Sequence, residues 1–202
     1  MRIAIYGAGG MVGTRLATEA LRRGHEVTGI TRTGSGIPDG VTSVLGDAGD
    51  PDLAKSVAAD NDVLVSSIPP SRTGGDHQLY LDALRTLAEN LGDARLFVIG
   101  GAGSLVADGK RLVDSPGFPE VAKAEALTAV RGLEYFRGLG EGIDWTFLSP
   151  APVIAPGERT GSYTKGLDSP VGQTISAEDF AVAVLDELET PAHQRRRFTV
   201  AY

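Results

Sequence analysis

Apolar residues in this chain occur in short continuous runs that alternate with longer runs of helical spacing. The first continuous run, residues 3–6, is followed by glycine and predicts a parallel strand buried on both faces. Residues 11–23 then predict a helix, and residues 25–31 predict a second strand. The apolar face of that helix contains Val12, Leu16, Ala20 and Leu21, and its polar positions are Arg15, Glu19, Arg22 and Arg23.

The same alternation continues along the chain without a long linker or an internal repeat. It predicts one α/β domain over residues 1–202, a doubly wound parallel sheet with helices on both faces. Further strands are predicted over residues 42–45, 62–68, 95–99, 144–148 and 197–201. Four further helices are predicted. One begins after the cap Asp50, with Pro51 at its first position, and another spans residues 119–139. A third spans 75–91, with Leu79, Leu84, Leu87 and Leu91 facing inward, and the last begins at the cap Ser176, with Asp179 three positions later.

Glycines join the first strand to the first helix. Gly7 allows a tight turn, Gly10 leaves no side chain between the backbone and a pyrophosphate, and Gly13 lets the helix pack closely against the sheet. The first turn of the helix, with Met11 and Val12, would direct free N–H groups at a phosphate. Such a turn also occurs where nothing binds, but its place at the first strand–helix junction favours a dinucleotide site.

The end of the second strand indicates which dinucleotide binds. NAD-selective sites usually place a carboxylate there, about 20 residues after the glycines, to accept hydrogen bonds from the ribose hydroxyls. This chain has Arg32 instead. Because a guanidinium holds a 2′-phosphate through two charge-assisted hydrogen bonds, we expect NADP(H) to be preferred over NAD(H). The alternative is that Arg32 is a solvated loop charge.

In a sheet of this kind the ligand lies at the carboxyl ends of the strands, so the loops after the strands are the other candidate cofactor-binding segments. After the third strand, Asp47 and Ala48 would lie near the adenine. After the fourth strand, Ser66, Ser67 and Ile68 would line the path of the bridging phosphates and ribose.

The nicotinamide end should lie at the loops after the fifth and sixth strands. Gly101 and Ser104 belong to the first of these loops and Pro150 to the second. The alternative for the aspartate and serine loops is ordinary turn chemistry, which Asp, Ser, Gly and Pro supply in any protein.

Composition narrows the possible partners. The chain has 19 basic and 26 acidic residues and a formal net charge of −7, which disfavours nucleic-acid binding. The basic run at residues 195–197 is typical of a solvated strand flank. There is no cysteine, and the three histidines lack metal-ligand spacing, so we expect no metal. No signal peptide is visible and no apolar run reaches the ~20 residues of a membrane span, so we expect a cytoplasmic protein without a membrane partner.

A set of short motifs extends over the whole chain: GAGGMVG at 7–13, the arginine at 32, GD at 46–47, IGGAGSL at 99–105, DWTFLSPA at 144–151, PGERTGSY at 156–163 and ISAEDFAVAVLDELE at 175–189. With these motifs the chain resembles the atypical short-chain dehydrogenase/reductases, and most closely the NAD(P)H-binding, flavin reductase-like group with biliverdin reductase B-type and NmrA-like members. The resemblance implies a Rossmann fold, NAD(P)H binding and reduction of a small-molecule acceptor, a flavin such as FMN or FAD or a quinone-like compound.

One motif of short-chain dehydrogenases is missing. Enzymes that interconvert alcohols and ketones use Tyr-x-x-x-Lys, in which the lysine lowers the tyrosine pKa. None of the five tyrosines here has a lysine four positions later, which disfavours that chemistry. Flavin reduction is compatible with the absence of the Tyr-x-x-x-Lys motif, because hydride passes between stacked rings and the reduced flavin can take its proton from water.

Two residues are candidate catalytic groups. Ser104 would hydrogen-bond the nicotinamide or the acceptor. Lys123, near the start of the helix after the fifth strand, would reach the nicotinamide ribose, unless it is an ordinary solvent-facing helix lysine.

Two loops rich in glycine, proline and charge, residues 105–118 and 152–170, are expected to close over the acceptor. Phe118 or Tyr163 would either stack on the acceptor or pack the loop. A rival interpretation is a non-catalytic NADP(H)-binding sensor. An isomerase or epimerase is disfavoured by the missing tyrosine motif and the short chain. A monomer or small homo-oligomer is expected.

Overall fold

A mostly parallel sheet organises the chain, and the computed structural model describes residues 1–202. The strands are β1 (Arg2–Tyr6), β2 (Glu26–Thr31), β3 (Thr42–Leu45), β4 (Val63–Ser66), β5 (Arg95–Ile99), β6 (Val106–Ala107), β7 (Lys110–Arg111), β8 (Trp145–Ser149), β9 (Val153–Ala155), β10 (Thr164–Gly166), β11 (Thr174–Ser176) and β12 (Arg196–Ala201). Eight of them form the main sheet, in the order β10-β12-β8-β5-β4-β1-β2-β3. The strand order changes direction between β1 and β4, which opens a crevice at their carboxyl ends.

Helices cover both faces of this sheet, as predicted. They are α1 (Met11–Arg22), α2 (Pro51–Asp60), α3 (Gln78–Glu89), α4 (Glu120–Arg137) and α5 (Ala177–Glu189). One core contains Leu16 of α1 and Phe180 of α5, and the other contains Leu84 of α3 and Phe136 of α4. The doubly wound α/β fold is therefore confirmed. None of the five helices has the length and apolar character that crossing a membrane requires.

Both predicted helix caps are present. The Asp50 carboxylate accepts hydrogen bonds from the N–H groups of Asp52 and Leu53, at 3.0 and 3.2 Å. The Ser176 hydroxyl accepts one from the Asp179 N–H at 2.9 Å. These caps pair donors that the first turn of each helix leaves free.

Several element boundaries and one inward position differ from the sequence prediction. Strand β4 ends at Ser66 rather than at residue 68, and α3 begins at Gln78 rather than at residue 75. Leu79, predicted to face inward, is 68% exposed. The buried face of α3 instead begins with Tyr80 and continues through Ala83 and Leu84, because helical spacing puts Leu79 about 100° away from Tyr80.

Short strands that the sequence pattern did not predict complete the structure. β6 and β7 form an antiparallel hairpin, and β9 pairs in parallel with β11. β10 pairs antiparallel with β12 and forms one edge of the main sheet. Each has two or three residues, too few for a period-two pattern to be visible in the sequence.

The prediction that Glu19 lies on the polar face of α1 is wrong, since its side chain is only 5% exposed. Its carboxylate accepts hydrogen bonds from Arg22, Arg23 and Arg159, all at 2.8–2.9 Å. Burial alone would raise the pKa of Glu19, but these three guanidinium groups hold it well below its usual range. Glu19 therefore ties the segment around Arg159 to α1.

The prediction that Arg197 belongs to a solvated strand flank is also wrong. Its side chain is 1% exposed, because it lies inside β12 and points into the protein rather than beyond the strand end. It donates to the Asp168 carboxylate and, at 3.0 Å, to the Ser104 hydroxyl oxygen. Arg197 thus connects two loops at the carboxyl edge of the sheet.

Replacing Glu19 with glutamine should lower the free energy of unfolding by roughly 2 kcal/mol at neutral pH, because three guanidinium groups lose their shared counter-charge. The folded-state pKa of Glu19 is lowered, so its contribution is full above the unfolded-state value of about 4.3 and is lost as the pH falls through the folded-state value. Urea unfolding at neutral pH and at about pH 3 should show a smaller difference in free energy of unfolding between the wild type and Glu19→Gln at the lower pH. Glu26→Gln, at an exposed position of β2, is the matched control and should change stability by no more than about 0.5 kcal/mol. A Glu19 variant as stable as the wild type at neutral pH would contradict this account.

Candidate cofactor and acceptor site

The glycine turn between β1 and α1 has the close contacts that the sequence predicts. Gly7 has a φ of +81°, and a Cβ there would lie 2.8 Å from the Ser67 carbonyl oxygen. A Cβ on Gly13 would lie 2.1 Å from the Gly7 carbonyl oxygen. A Cβ on Gly10 would have one neighbour within 4 Å, the same Gly7 oxygen, at 3.3 Å. Gly7 and Gly13 therefore shape the turn, whereas Gly10 leaves free space above it.

The first turn of α1 presents unpaired donors. The N–H groups of Met11, Val12 and Gly13 donate to no protein atom, and the helix has no side-chain cap. Its first turn also contains no acidic residue. Free N–H groups at the positive end of a helix dipole fit an anion such as a pyrophosphate.

The loop after β2 packs against this turn. A Cβ on Gly9 would lie 2.3 Å from the Ser35 carbonyl oxygen, and a Cβ on Gly36 would lie 2.8 Å from the Gly9 carbonyl oxygen. Arg32 begins this loop, and its side chain is exposed. No ion pair or side-chain hydrogen bond holds it, so its guanidinium group is available to a ligand.

The loop after β3 is less open. The Asp47 carboxylate accepts a hydrogen bond from the Gly49 N–H at 2.8 Å, which closes a local turn. Ala48 is buried. One oxygen of Asp47 is therefore engaged by its own loop, and the second has no protein partner.

A cleft of about 780 Å³ extends along the carboxyl ends of the strands. Its walls come from the N-terminus of α1, from the loops after β4, β5 and β8, and from α3 and α4. The predicted cofactor-binding residues that line it are Gly10, Met11, Val12, Ser67, Ile68, Gly101 and Pro150. Those outside its lining are Gly7, Gly13, Arg32, Asp47, Ala48 and Ser66, of which Ser66 is buried within β4.

The cleft surface is mostly apolar. Its two charged side chains, Arg72 and Glu125, pair with each other, with 2.9 Å between the Arg72 Nε and the Glu125 Oε1. Its other polar side chains include Tyr80 and Gln173. The Tyr80 hydroxyl is buried and has no hydrogen-bond partner. Away from the N-terminus of α1, such a surface suits a flat, apolar ring.

Ser104 and Lys123 lie outside the cleft lining. The Ser104 hydroxyl oxygen accepts a hydrogen bond from Arg197 at 3.0 Å, on the buried side of its loop. The Lys123 Nζ lies 3.7 Å from the Glu120 Oε2 on the partly exposed surface of α4. The predicted catalytic roles of Ser104 and Lys123 stay predictions that no contact in this structure supports.

The two predicted acceptor loops differ in how they meet the cleft. Residues 105–118 contribute Leu112 and the segment 115–118, and Phe118 lies in the lining. Residues 152–170 contribute only 152–154. Tyr163 packs its own loop, because its hydroxyl donates to Asp186 at 2.6 Å and its ring packs against the core.

Sequence reasoning did not identify the residues that α3 and α4 supply. Ala122, Ala126 and Ala129 line the cleft at helical spacing, and a Cβ on Gly103 would lie 2.9 Å from the Ala126 Cβ. The repeated alanines were the available signal, since small residues on a helix allow close approach of a loop. Tyr80 gave no signal, because an aromatic residue at an apolar helix position is typical of a core.

Four tyrosines, Tyr6, Tyr80, Tyr135 and Tyr163, have raised rather than lowered pKa values. Burial raises the pKa of Tyr80, with a smaller contribution from the Glu125 carboxylate. Burial also raises the pKa of Tyr6, Tyr135 and Tyr163. A tyrosine in this state is a poorer proton donor than one beside a lysine.

Comparison with known proteins agrees with this geometry. The model of a family described as NAD(P)H-binding matches residues 7–191. YwnB of Bacillus subtilis (strain 168), an uncharacterised protein, is 40% identical over 99% of this chain and 98% of its own. The chain therefore belongs to the NAD(P)H-binding family.

Two solved structures are similar in fold and sequence but differ in the activity that their names give. A candidate epimerase from Bacteroides thetaiotaomicron is 36% identical with a TM-score of 0.89, over 100% of this chain and 96% of that one. SP1627 of Streptococcus pneumoniae, a candidate NADH-flavin reductase, is 30% identical with a TM-score of 0.88, over 99% of this chain and 98% of that one. The family and fold are shared, and a candidate flavin reductase is among the relatives.

Gly10→Ala should separate cofactor binding from folding. The added methyl group meets one atom of the protein at 3.3 Å but enters the space that a pyrophosphate needs at the α1 N-terminus. We expect the thermal stability to stay close to that of the wild type and the Kd for NADPH, measured by nicotinamide fluorescence, to rise about tenfold or more.

Gly140→Ala is the matched control, because a Cβ there has no neighbour within 4 Å and residue 140 lies outside the cleft. It should leave the Kd unchanged. An unaltered Kd in Gly10→Ala would place the pyrophosphate elsewhere.

Proposed function

We propose that the protein is an NADPH-dependent reductase that transfers hydride to a flavin or a quinone-like acceptor. The observation that carries this proposal is the continuity of the cleft. The same cavity is lined by Gly10 at the α1 N-terminus, by Gly101 after β5 and by Phe118 of the loop 105–118. One cavity can thus hold a dinucleotide and a second ring, which direct hydride transfer requires.

The glycine turn fits the cofactor. In this proposal Gly7 and Gly13 shape the turn, and the N–H groups of Met11 and Val12 donate to the pyrophosphate. Ser67 and Ile68 lie along the ribose, and Gly101 and Pro150 border the nicotinamide. When bound, NADPH supplies the hydride, and the protein positions the two rings and excludes water.

Arg32 supports a preference for NADPH. Its side chain is exposed, and its loop contacts the glycine turn through Gly9. A free guanidinium there fits a 2′-phosphate through charge-assisted hydrogen bonds. Asp47, with one carboxylate oxygen free, and Ala48 would lie near the adenine.

The absence of an activated tyrosine favours an acceptor that needs no protein acid. No tyrosine is followed by lysine at the fourth position, and burial raises the pKa of Tyr80, the tyrosine that lines the cleft. A flavin or quinone takes up its proton from water after hydride transfer, so a fixed proton donor is unnecessary.

The decisive test measures NADPH oxidation by the purified protein with FMN, with riboflavin, with a soluble quinone and with no acceptor. The proposal predicts oxidation in proportion to added acceptor. Tight NADPH binding without oxidation in any of these mixtures would instead indicate a non-catalytic NADP(H) sensor.

Arg32→Ala should lower the preference for NADPH over NADH by about tenfold or more, because a charge-assisted hydrogen bond to phosphate is lost. The ratio of kcat/KM for the two nucleotides measures this. Arg131→Ala, an exposed arginine on α4 outside the cleft lining, is the matched control and should leave the ratio unchanged. A ratio that Arg32→Ala does not alter would show that Arg32 is a solvated loop charge.

A further inference from the structure

Arg72 and Glu125 are the charged residues of an otherwise uncharged cleft. The Arg72 Nε and one terminal nitrogen of its guanidinium group lie 2.9 and 2.8 Å from the same Glu125 oxygen, Oε1. The second carboxylate oxygen has no protein partner. The pair is therefore not a bidentate one, and it leaves part of the guanidinium group free to contact another anion.

The two partners differ in exposure. The Arg72 side chain is 67% exposed, whereas the Glu125 side chain is 24% exposed. An ion pair with one highly exposed member contributes little net stability, so a competing anion can displace Glu125 at small cost. Glu125 belongs to α4, and Arg72 belongs to the loop after β4.

That loop is held beside α4 by a neighbouring contact. A His77 ring nitrogen lies 2.9 Å from the Ser71 carbonyl oxygen, and its other ring nitrogen lies 2.7 Å from the Thr128 hydroxyl oxygen of α4. The backbone before Arg72 is thus fixed at the cleft while the guanidinium group remains exposed. Such an arrangement suits a residue that contacts the outer part of a bound molecule.

We propose that Arg72 binds the anionic substituent of an acceptor whose flat ring occupies the apolar part of the cleft, and that Glu125 holds Arg72 at the cleft until the acceptor arrives. The inference rests on the proposed function and names its substrate class, a ring acceptor that carries a phosphate or carboxylate group. Without Arg72, Glu125 would leave an unpaired negative charge in the lining of a protein whose net charge is −7, and anions would be repelled.

FMN and riboflavin test this assignment, because they share one ring system and differ by a phosphate. Steady-state reduction of each would be compared for the wild type, Arg72→Gln, Glu125→Gln and the double variant. Arg72→Gln should raise the KM for FMN at least about tenfold more than the KM for riboflavin. Glu125→Gln should lower the KM for FMN relative to that for riboflavin, and the double variant should lie between the two. Arg85→Gln breaks a pair with Asp82 on α3 away from the cleft and is the matched control.

Equal changes for FMN and riboflavin in Arg72→Gln would overturn the proposal. A raised KM for NADPH with FMN unaffected would overturn it too, by placing Arg72 on the cofactor. If neither flavin is reduced by any form of the protein, the proposed reductase function fails. Quenching of FMN and riboflavin fluorescence by the protein with NADP⁺ then compares their affinities directly, and equal effects of Arg72→Gln on both would still overturn the assignment.

Discussion

The close approach of backbone at the first glycine turn is the contact on which the site depends. A side chain on Gly13 would meet the Gly7 carbonyl oxygen at 2.1 Å, and one on Gly7 would meet the Ser67 carbonyl oxygen at 2.8 Å. These distances leave no room for a Cβ. Because glycine has none, the backbone can approach this closely, and α1 can begin directly above the ends of β1 and β4. Its unpaired N–H groups then point into the crevice where the strand order changes direction, which is where a dinucleotide binds in this fold.

Two ion pairs, each with one buried member, hold loops of the chain in place. Arg197 connects Ser104 of the loop after β5 to Asp168 of the loop before β11, and Glu19 connects Arg159 to α1. Neither pair lies in the cleft lining. They act by positioning loops, since an unpaired charge in such a place would be costly. The cleft lining is mostly apolar, which suits the proposed hydride transfer between flat rings.

Local patterns predicted most of the fold and the close contacts of the glycine turn. The continuous apolar strands, the caps at Asp50 and Ser176 and the glycine spacing each depend on residues that are neighbours in the chain. Contacts between distant residues were not predictable in the same way. Glu19 pairs with Arg159, 140 positions away, in addition to its neighbours Arg22 and Arg23, and the Ser104 hydroxyl accepts a hydrogen bond from Arg197, 93 positions away. The part of the cleft proposed to hold the acceptor also combines distant segments of the chain, and Tyr80, Arg72 and Glu125 were accordingly not predicted.

The central claim is that one cleft holds NADPH and a ring acceptor in contact. The most direct test mixes the NADPH-bound protein with FMN under anaerobic conditions in a single turnover, using NADPH that carries deuterium at the transferred position of the nicotinamide. The account predicts that NADPH is oxidised as FMN is bleached and that deuterium slows both changes together. NADPH that stays intact in the presence of FMN and of a quinone would contradict the account and identify the protein as a nucleotide-binding protein without turnover.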